Sequence, residues 1–268
     1  MSEPGDGAHH GVAFRHDGSG TDEATWRGWR RLEHLPPLDW EGLDHVVVVA
    51  AHPDDETLGA AGLMAEASHR GVAVDVVVAT LGEASHPRSS TITPERLSRW
   101  RAREVTAAVG LLAPRAVLHL LHLPDGELQQ HVPAVTEQVA GLAGAGSLVV
   151  APWVGDGHPD HTAAGLGAAS AAADVRARSL EYPVWAWHWS APADPRVPWQ
   201  RMVRHPLTPA ARRLKRRALA MHRSQTRPLS DQPGDETLLR AGFLDHFDRP
   251  HEVFVGPRRD AAGPDAPA

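Results

Sequence analysis

The stretch His45-Val46-Val47-Val48-Val49-Ala50-Ala51-His52-Pro53-Asp54-Asp55-Glu56-Thr57 decides the fold. Its first half is a continuous β-branched run, the pattern of a strand buried on both faces of a parallel sheet. Its second half sets one imidazole and three carboxylates in the turn that follows. Downstream, residues 57–70 read as a helix stopped by Gly71, and 72–80 as a second buried strand, which completes one βαβ unit. A polar loop over 82–93 leads to a helix opened by Thr93-Pro94-Glu95, and 116–121 reads as a third strand. A helix over 133–142, a strand over 147–152, an Ala-rich helix over 162–173 and a strand over 179–189 continue the alternation. This predicts an α/β fold: a doubly wound, Rossmann-like, mostly parallel sheet with helices on both faces and strand order 3-2-1-4-5. Residues 1–42 are expected to be a partly flexible extension, 43–256 a single domain and 257–268 a disordered tail. Residues 191–206 read as irregular and 209–224 as a basic helix.

Composition narrows the partners. The chain has 268 residues, 42% of them apolar, which is enough for an ordinary core, and a formal charge of -6. That charge gives no footing for nucleic acid or an anionic membrane surface. No basic and apolar leader opens the sequence and no apolar run approaches membrane-spanning length, so a cytoplasmic protein without membrane insertion is expected. Cysteine is absent and there are 18 histidines, so a metal would be held by imidazole and carboxylate.

A second cluster follows the fourth strand: Trp153-Val154-Gly155-Asp156-Gly157-His158-Pro159-Asp160-His161. Acids in the first turn after a strand can be simple helix caps. In strand order 3-2-1-4-5, however, the first and fourth strands are neighbours at the point where the winding reverses, and ligands of such sheets bind there. The two clusters would then face each other. Two His and one carboxylate with an open position suit Zn²⁺, while Fe²⁺, Mn²⁺ and Co²⁺ accept the same donors. Metal-assisted hydrolysis, with a spare carboxylate as general base, is the natural chemistry. No GxGxxG follows the first strand, and its acidic turn is wrong for a pyrophosphate, so dinucleotide binding is rejected.

The strings AHPDDE (residues 51–56) and HPDH (158–161) resemble the paired signatures of the PIG-L/LmbE-like de-N-acetylases, the group that deacetylates N-acetylglucosaminyl-phosphatidylinositol and intermediates of mycothiol and bacillithiol biosynthesis. Thr80-Leu81-Gly82-Glu83, Arg101-Ala102-Arg103-Glu104, Leu123-Pro124-Asp125-Gly126 and His222-Arg223-Ser224-Gln225 extend the resemblance in register from about residue 46 to 225. The resemblance implies a zinc-dependent N-deacetylase acting on an N-acetylglucosamine-type amino-sugar conjugate. It implies His52, Asp55 and His161 as metal ligands and Asp54 as general base. His158, oriented by Asp160, would stabilise the oxyanion or protonate the leaving amine, and Arg101 and Asp125 would hold sugar hydroxyls. Adjacent Asp54 and Asp55 cannot address one ion equivalently, which agrees with one ligating and one holding water. A hydrolase of a non-sugar amide or other acyl group in a tailoring pathway, and a non-catalytic metal- or sugar-binding module, are the rival readings.

Other features carry less. Trp185, Trp187 and Trp189 alternate along the expected fifth strand and read as core or subunit contact, which leaves room for a homo-oligomer. Trp153 and Asp156 are candidates for shaping the pocket. Arg212 to Arg217 reads as a solvated face. Glu56, Glu83 and His222 could support the ligands. His9, His10, His16 and His34 are assigned nothing. The groups that select an aglycone are expected within residues 191–206.

Overall fold

In a computed structural model that describes residues 18–257, seven strands form one sheet. They are β1 (His45–Ala50), β2 (Ala73–Thr80), β3 (Val117–Leu123), β4 (Ser147–Pro152), β5 (Arg178–Tyr182), β6 (Met202–Pro206) and β7 (His251–Val255). The order β3-β2-β1-β4-β5 is the expected one and all its pairings are parallel. Beyond β5 the sheet continues as β7-β6, both pairings antiparallel. Those two strands, of which β6 is the edge, were not anticipated.

The alternation of β1 divides the core. Val46, Val48 and Ala50 face one apolar cluster, Val47, Val49 and Ala51 the other, and all six are fully buried. After a short α1 (Glu23–Gly28), the helices α2 (Asp55–Arg70) and α3 (Pro94–Leu112) cover the first face. α4 (Val132–Leu142) and α5 (Pro159–Asp174) cover the second. α2 is stopped by Gly71 in the left-handed region, φ 74°. α3 starts on Thr93, whose side chain accepts from Arg96 N, with Pro94 as its first residue. α5 lies close on the end of β4: a Cβ on Gly165 would stand 2.5 Å from the Pro152 carbonyl oxygen. Only glycine allows that approach, and it brings the start of α5 over the carboxyl end of β4.

Four expectations change. The strand expected over 179–189 ends at Tyr182, and Trp185, Trp187 and Trp189 lie on a one-turn helix, α6 (Ala186–Trp189), or at its start. They therefore point different ways: Trp187 packs edge-on to Trp26, Trp185 stacks on Phe243, and Trp189 stacks over Trp153. The supposedly irregular 191–206 contains β6. The basic helix is α7 (Pro209–Leu219), and its face is not simply solvated. Lys215 is buried, 2.8 Å from Glu252 and donating to Leu58 O, while Arg212 and Arg216 reach Asp248.

The lead segment is packed from Asp22 onward. Asp22 caps α1, Trp26 is 1% exposed and donates to Trp187 O, and Leu32, Leu35 and Leu38 join the larger core cluster. His34 ends a 3-10 turn, Arg30–His34. His9, His10, His16 and the tail after residue 257 lie outside the described residues.

Glu23 ties this segment down through Arg249 Nη2 at 2.7 Å and His246 Nδ1 at 2.9 Å. Burial opposes its charge, but these two partners lower the carboxyl from 4.5 to about 2. A depressed carboxyl contributes stability that is fully present above the unfolded value and lost as pH falls through the folded one. The urea midpoint of the native chain should therefore exceed that of Glu23→Gln above pH 4.5, and the gap should close as pH falls toward 2. A pH-independent gap would show that the charge is not what stabilises this contact.

No helix among the described residues is long and apolar enough to cross a membrane.

Candidate metal and catalytic centre

The carboxyl ends of β1 and β4 are adjacent in the sheet, so the turns that leave them share one crevice. Asp54 stands at the start of α2 with φ 135°, and it makes no side-chain cap bond. Simple capping thus fails to explain it. Asp55 turns its carboxylate back, accepting from His52 N at 2.9 Å. On the other side Gly157, φ 91°, turns the β4–α5 loop so that Asp156 precedes and His161 follows the helix start.

Two imidazoles are each backed by carboxylate. His52 Nε2 lies 3.1 Å from Asp125 Oδ1 and 3.1 Å from Asp160 Oδ2, and His161 Nδ1 lies 2.7 Å from Asp156 Oδ2. Each ring therefore carries its proton on the backed nitrogen, and each turns the other toward Asp55. His52 Nδ1 is 3.5 Å from one Asp55 oxygen and His161 Nε2 is 3.3 Å from the other. His161 Nε2 is buried without a hydrogen-bond partner. A buried imidazole nitrogen without a hydrogen-bond partner beside a carboxylate, with the opposite nitrogen fixed by another acid, suits a divalent ion. His158 adds a further nitrogen: donor atoms of His52, His158 and His161 lie within 4.8 Å of one another. Burial disfavours a charged His161, but Asp55 and Asp156 raise the ring to about 9, so without an ion Nε2 holds a proton beside Asp55, and a divalent ion bound there would displace it.

Asp156 is the residue that sequence reasoning undervalued. It is fully buried and its two oxygens accept from Val184, Trp185 and Ala186 N as well as from His161. The same carboxylate that orients His161 therefore ends β5 and caps the turn into α6. Its place five residues before His161, between two glycines, was the available signal.

Asp54 is 6% exposed. Burial raises its carboxyl to about 7, with the Arg101 guanidinium pulling the other way. Arg101, 2% exposed, donates from Nη2 to Asp54 Oδ2 at 3.2 Å and to Pro53 O at 2.8 Å, and from Nη1 to Gly82 O at 3.0 Å. Asp125 accepts from Ala84 N while it faces His52. Both residues expected to hold sugar hydroxyls are thus engaged within the centre.

His158 caps α5, its Nδ1 accepting from Asp160 N at 3.2 Å. The expected orienting group is therefore the Asp160 backbone, since the Asp160 carboxylate faces His52 and accepts from Gly126 and Leu128 N. Burial, with His161 and His52 nearby, lowers His158 to about 3, which leaves a neutral ring with its proton on Nε2. Beneath the centre, burial pushes Glu56 up to about 8, and its oxygens take Asp54 N and the Thr57 hydroxyl. His222 meets Thr57 Oγ1 at 3.0 Å, and Ser224 donates twice to Glu104 of α3. The late HRSQ string thus braces α2 and α3.

Residues 47–172 match the family model described as PIG-L, GlcNAc-PI de-N-acetylase. A 1D-myo-inositol 2-acetamido-2-deoxy-alpha-D-glucopyranoside deacetylase of Mycobacterium sp. (strain KMS) is 32% identical over 153 residues, 47% of this chain and 49% of its own length. The chain thus spans about half the length of the curated relatives it matches. The conserved protein TT1542 from Thermus thermophilus aligns over 84% of this chain and all of its own, with TM-score 0.57 and 25% identity. The N,N'-diacetylchitobiose deacetylase of Pyrococcus horikoshii aligns over 76% of this chain and 79% of its own, with TM-score 0.55 and 20% identity, and shares the fold.

Proposed function

On the premise that residues 47–172 are a PIG-L family domain, we propose that this chain is a metal-dependent hydrolase that removes an N-acetyl or other N-acyl group from an amino-sugar conjugate. One observation carries the reading: two carboxylate-backed imidazoles, His52 and His161, aim their remaining nitrogens at Asp55, with a buried second acid, Asp54, alongside.

His52, Asp55 and His161 are the residues that would hold the ion, Zn²⁺ first, with Fe²⁺, Mn²⁺ and Co²⁺ served by the same donors. Bound there, a divalent ion supplies Lewis acidity toward an amide carbonyl and makes water nucleophilic near neutral pH. Asp54 takes the proton of the attacking water and returns it to the leaving amine, so that the amide gives a carboxylate and a free amine. Neutral His158 donates from Nε2 to the developing oxyanion. Asp160 and Asp125 hold His52, and Asp156 holds His161.

Acetate release from N-acetylglucosamine conjugates, compared with longer N-acyl analogues and with non-sugar amides, tests the substrate class. Chelation should stop hydrolysis and Zn²⁺ should restore it. Turnover confined to non-sugar amides would move the chain to the tailoring reading, and binding without turnover across the panel would make it a non-catalytic module.

Arg101 separates two roles. Because its guanidinium grips Asp54 and two backbone carbonyls, Arg101→Lys should lower kcat by about 10²-fold through misplacement of the base, with KM little changed. A raised KM at constant kcat would instead make it a sugar contact.

A further inference from the structure

Helix α3 has two chemically different sides. Arg101 points inward to the centre, whereas Arg96, Arg99, Trp100 and Arg103 follow the i, i+3, i+4, i+7 pattern and share the outer face. Together with Thr91, Ile92, Leu229 and Ser230 they line a cavity of about 400 Å³. Three guanidiniums one turn apart repel each other, and Glu95, one turn before Arg99, offsets one of them. None of the three makes an ion pair among the described residues, although 33 acidic residues are available in this chain. Asp235, buried behind the wall, accepts from the Thr91 and Ser230 hydroxyls through Oδ2, so it meets the cavity through those two side chains. Trp100, half-buried, offers a flat aromatic wall, and Ile92 and Leu229 make the remaining sides apolar.

We propose that this outer face of α3 is an anion-binding pocket, separate from the metal centre, for a ligand that carries a phosphate or paired carboxylates next to a flat apolar group. Guanidinium forks match the geometry of such oxyanions and bind them bidentately. Apolar walls weaken the competition from water, and the indole face accepts either a stacked ring or a bound guanidinium. The net negative chain makes the local concentration of positive charge a feature of this face rather than of composition.

Calorimetric titration of the metal-loaded full chain with inorganic pyrophosphate and, separately, with succinate tests this, at low salt where such contacts are strongest. At least one probe should bind with submillimolar Kd, and the double variant Arg99→Ala/Arg103→Ala should weaken it by about tenfold or more. Both positions are exposed and alanine favours a helix, so the variant should fold and keep its activity toward an uncharged amide. Preference for pyrophosphate assigns the pocket to phosphates, and preference for succinate assigns it to carboxylates. Equal affinity in the double variant, as for an anion captured at the metal centre, overturns the proposal, and so does the absence of binding up to about 10 mM. Because binding is read directly, the outcome does not depend on the substrate of the metal centre.

Discussion

Replacing Asp54 by Asn is expected to lower kcat by about 10²–10⁴-fold, the usual contribution of a general base, while metal content and the unfolding midpoint stay near those of the native chain. The structural reasons for such a clean separation are local. Asp54 makes no capping bond to α2, so removing its charge takes nothing from the helix start. Its backbone has φ 135°, a strained conformation for any residue with a Cβ, but Asn has the same Cβ and nearly the same shape as Asp, so the exchange adds no backbone cost. The Asn side-chain oxygen can still accept from Arg101 Nη2, so the clamp that joins α3 to this turn survives. What is lost is a carboxylate able to receive a proton. Steady-state kinetics on the acetyl substrate, metal analysis and circular dichroism on the same preparation check the three parts. Activity within about threefold of the native enzyme would remove Asp54 from the chemistry and leave its burial unexplained.

The parallel half of the sheet was legible because burial on both faces leaves a β-branched run that no amphipathic helix shares, as in Val46 to Val49. Strand order followed from the winding rule, and the meeting of the His52 and His161 turns followed from strand order. What escaped is governed by distant contacts. Trp185, Trp187 and Trp189 show a period of two, but Pro183 ends the ladder and the Asp156 carboxylate gathers the amides of 184–186 into a turn, so a partner far back in the chain overrides the pattern. Trp26 sits in a six-residue helix, too short to display a period, and its burial depends on Trp187 and Arg249 far along the chain. The β7–β6 edge is antiparallel and follows a Pro-rich segment, where a buried strand has no distinguishing run. The grip of Arg101 on the Asp54 turn was not legible: two of its three partner groups are backbone carbonyls, which leave no trace in side-chain spacing. The same holds for Asp160, whose backbone and carboxylate serve different histidines.

Asp156→Asn should weaken metal binding by about 10–100-fold or more while most of the fold persists. In the native chain Oδ1 accepts from Val184 and Ala186 N, and Oδ2 accepts from Trp185 N and from His161 Nδ1 at 2.7 Å. An amide can keep the first pair of bonds with its oxygen. Its NH₂ then faces Trp185 N–H and the His161 ring, and a donor cannot accept from either. The imidazole can satisfy the NH₂ only by moving its own proton to Nε2, which converts the nitrogen that faces Asp55 from a lone pair into an N–H. A ligand nitrogen would be lost without any change in its position. Asp156→Ala should behave differently, because it leaves three buried amides unpaired at about 1–3 kcal/mol each and so should lower the urea midpoint as well as the affinity. Competition against a chelator of known affinity, read beside urea unfolding of the apo and loaded forms, separates the two variants. If the Asn variant held its metal as tightly as the native chain, the tautomer of His161 would not be set by Asp156, and Asp156 would have to be withdrawn as the group that prepares His161 for the ion.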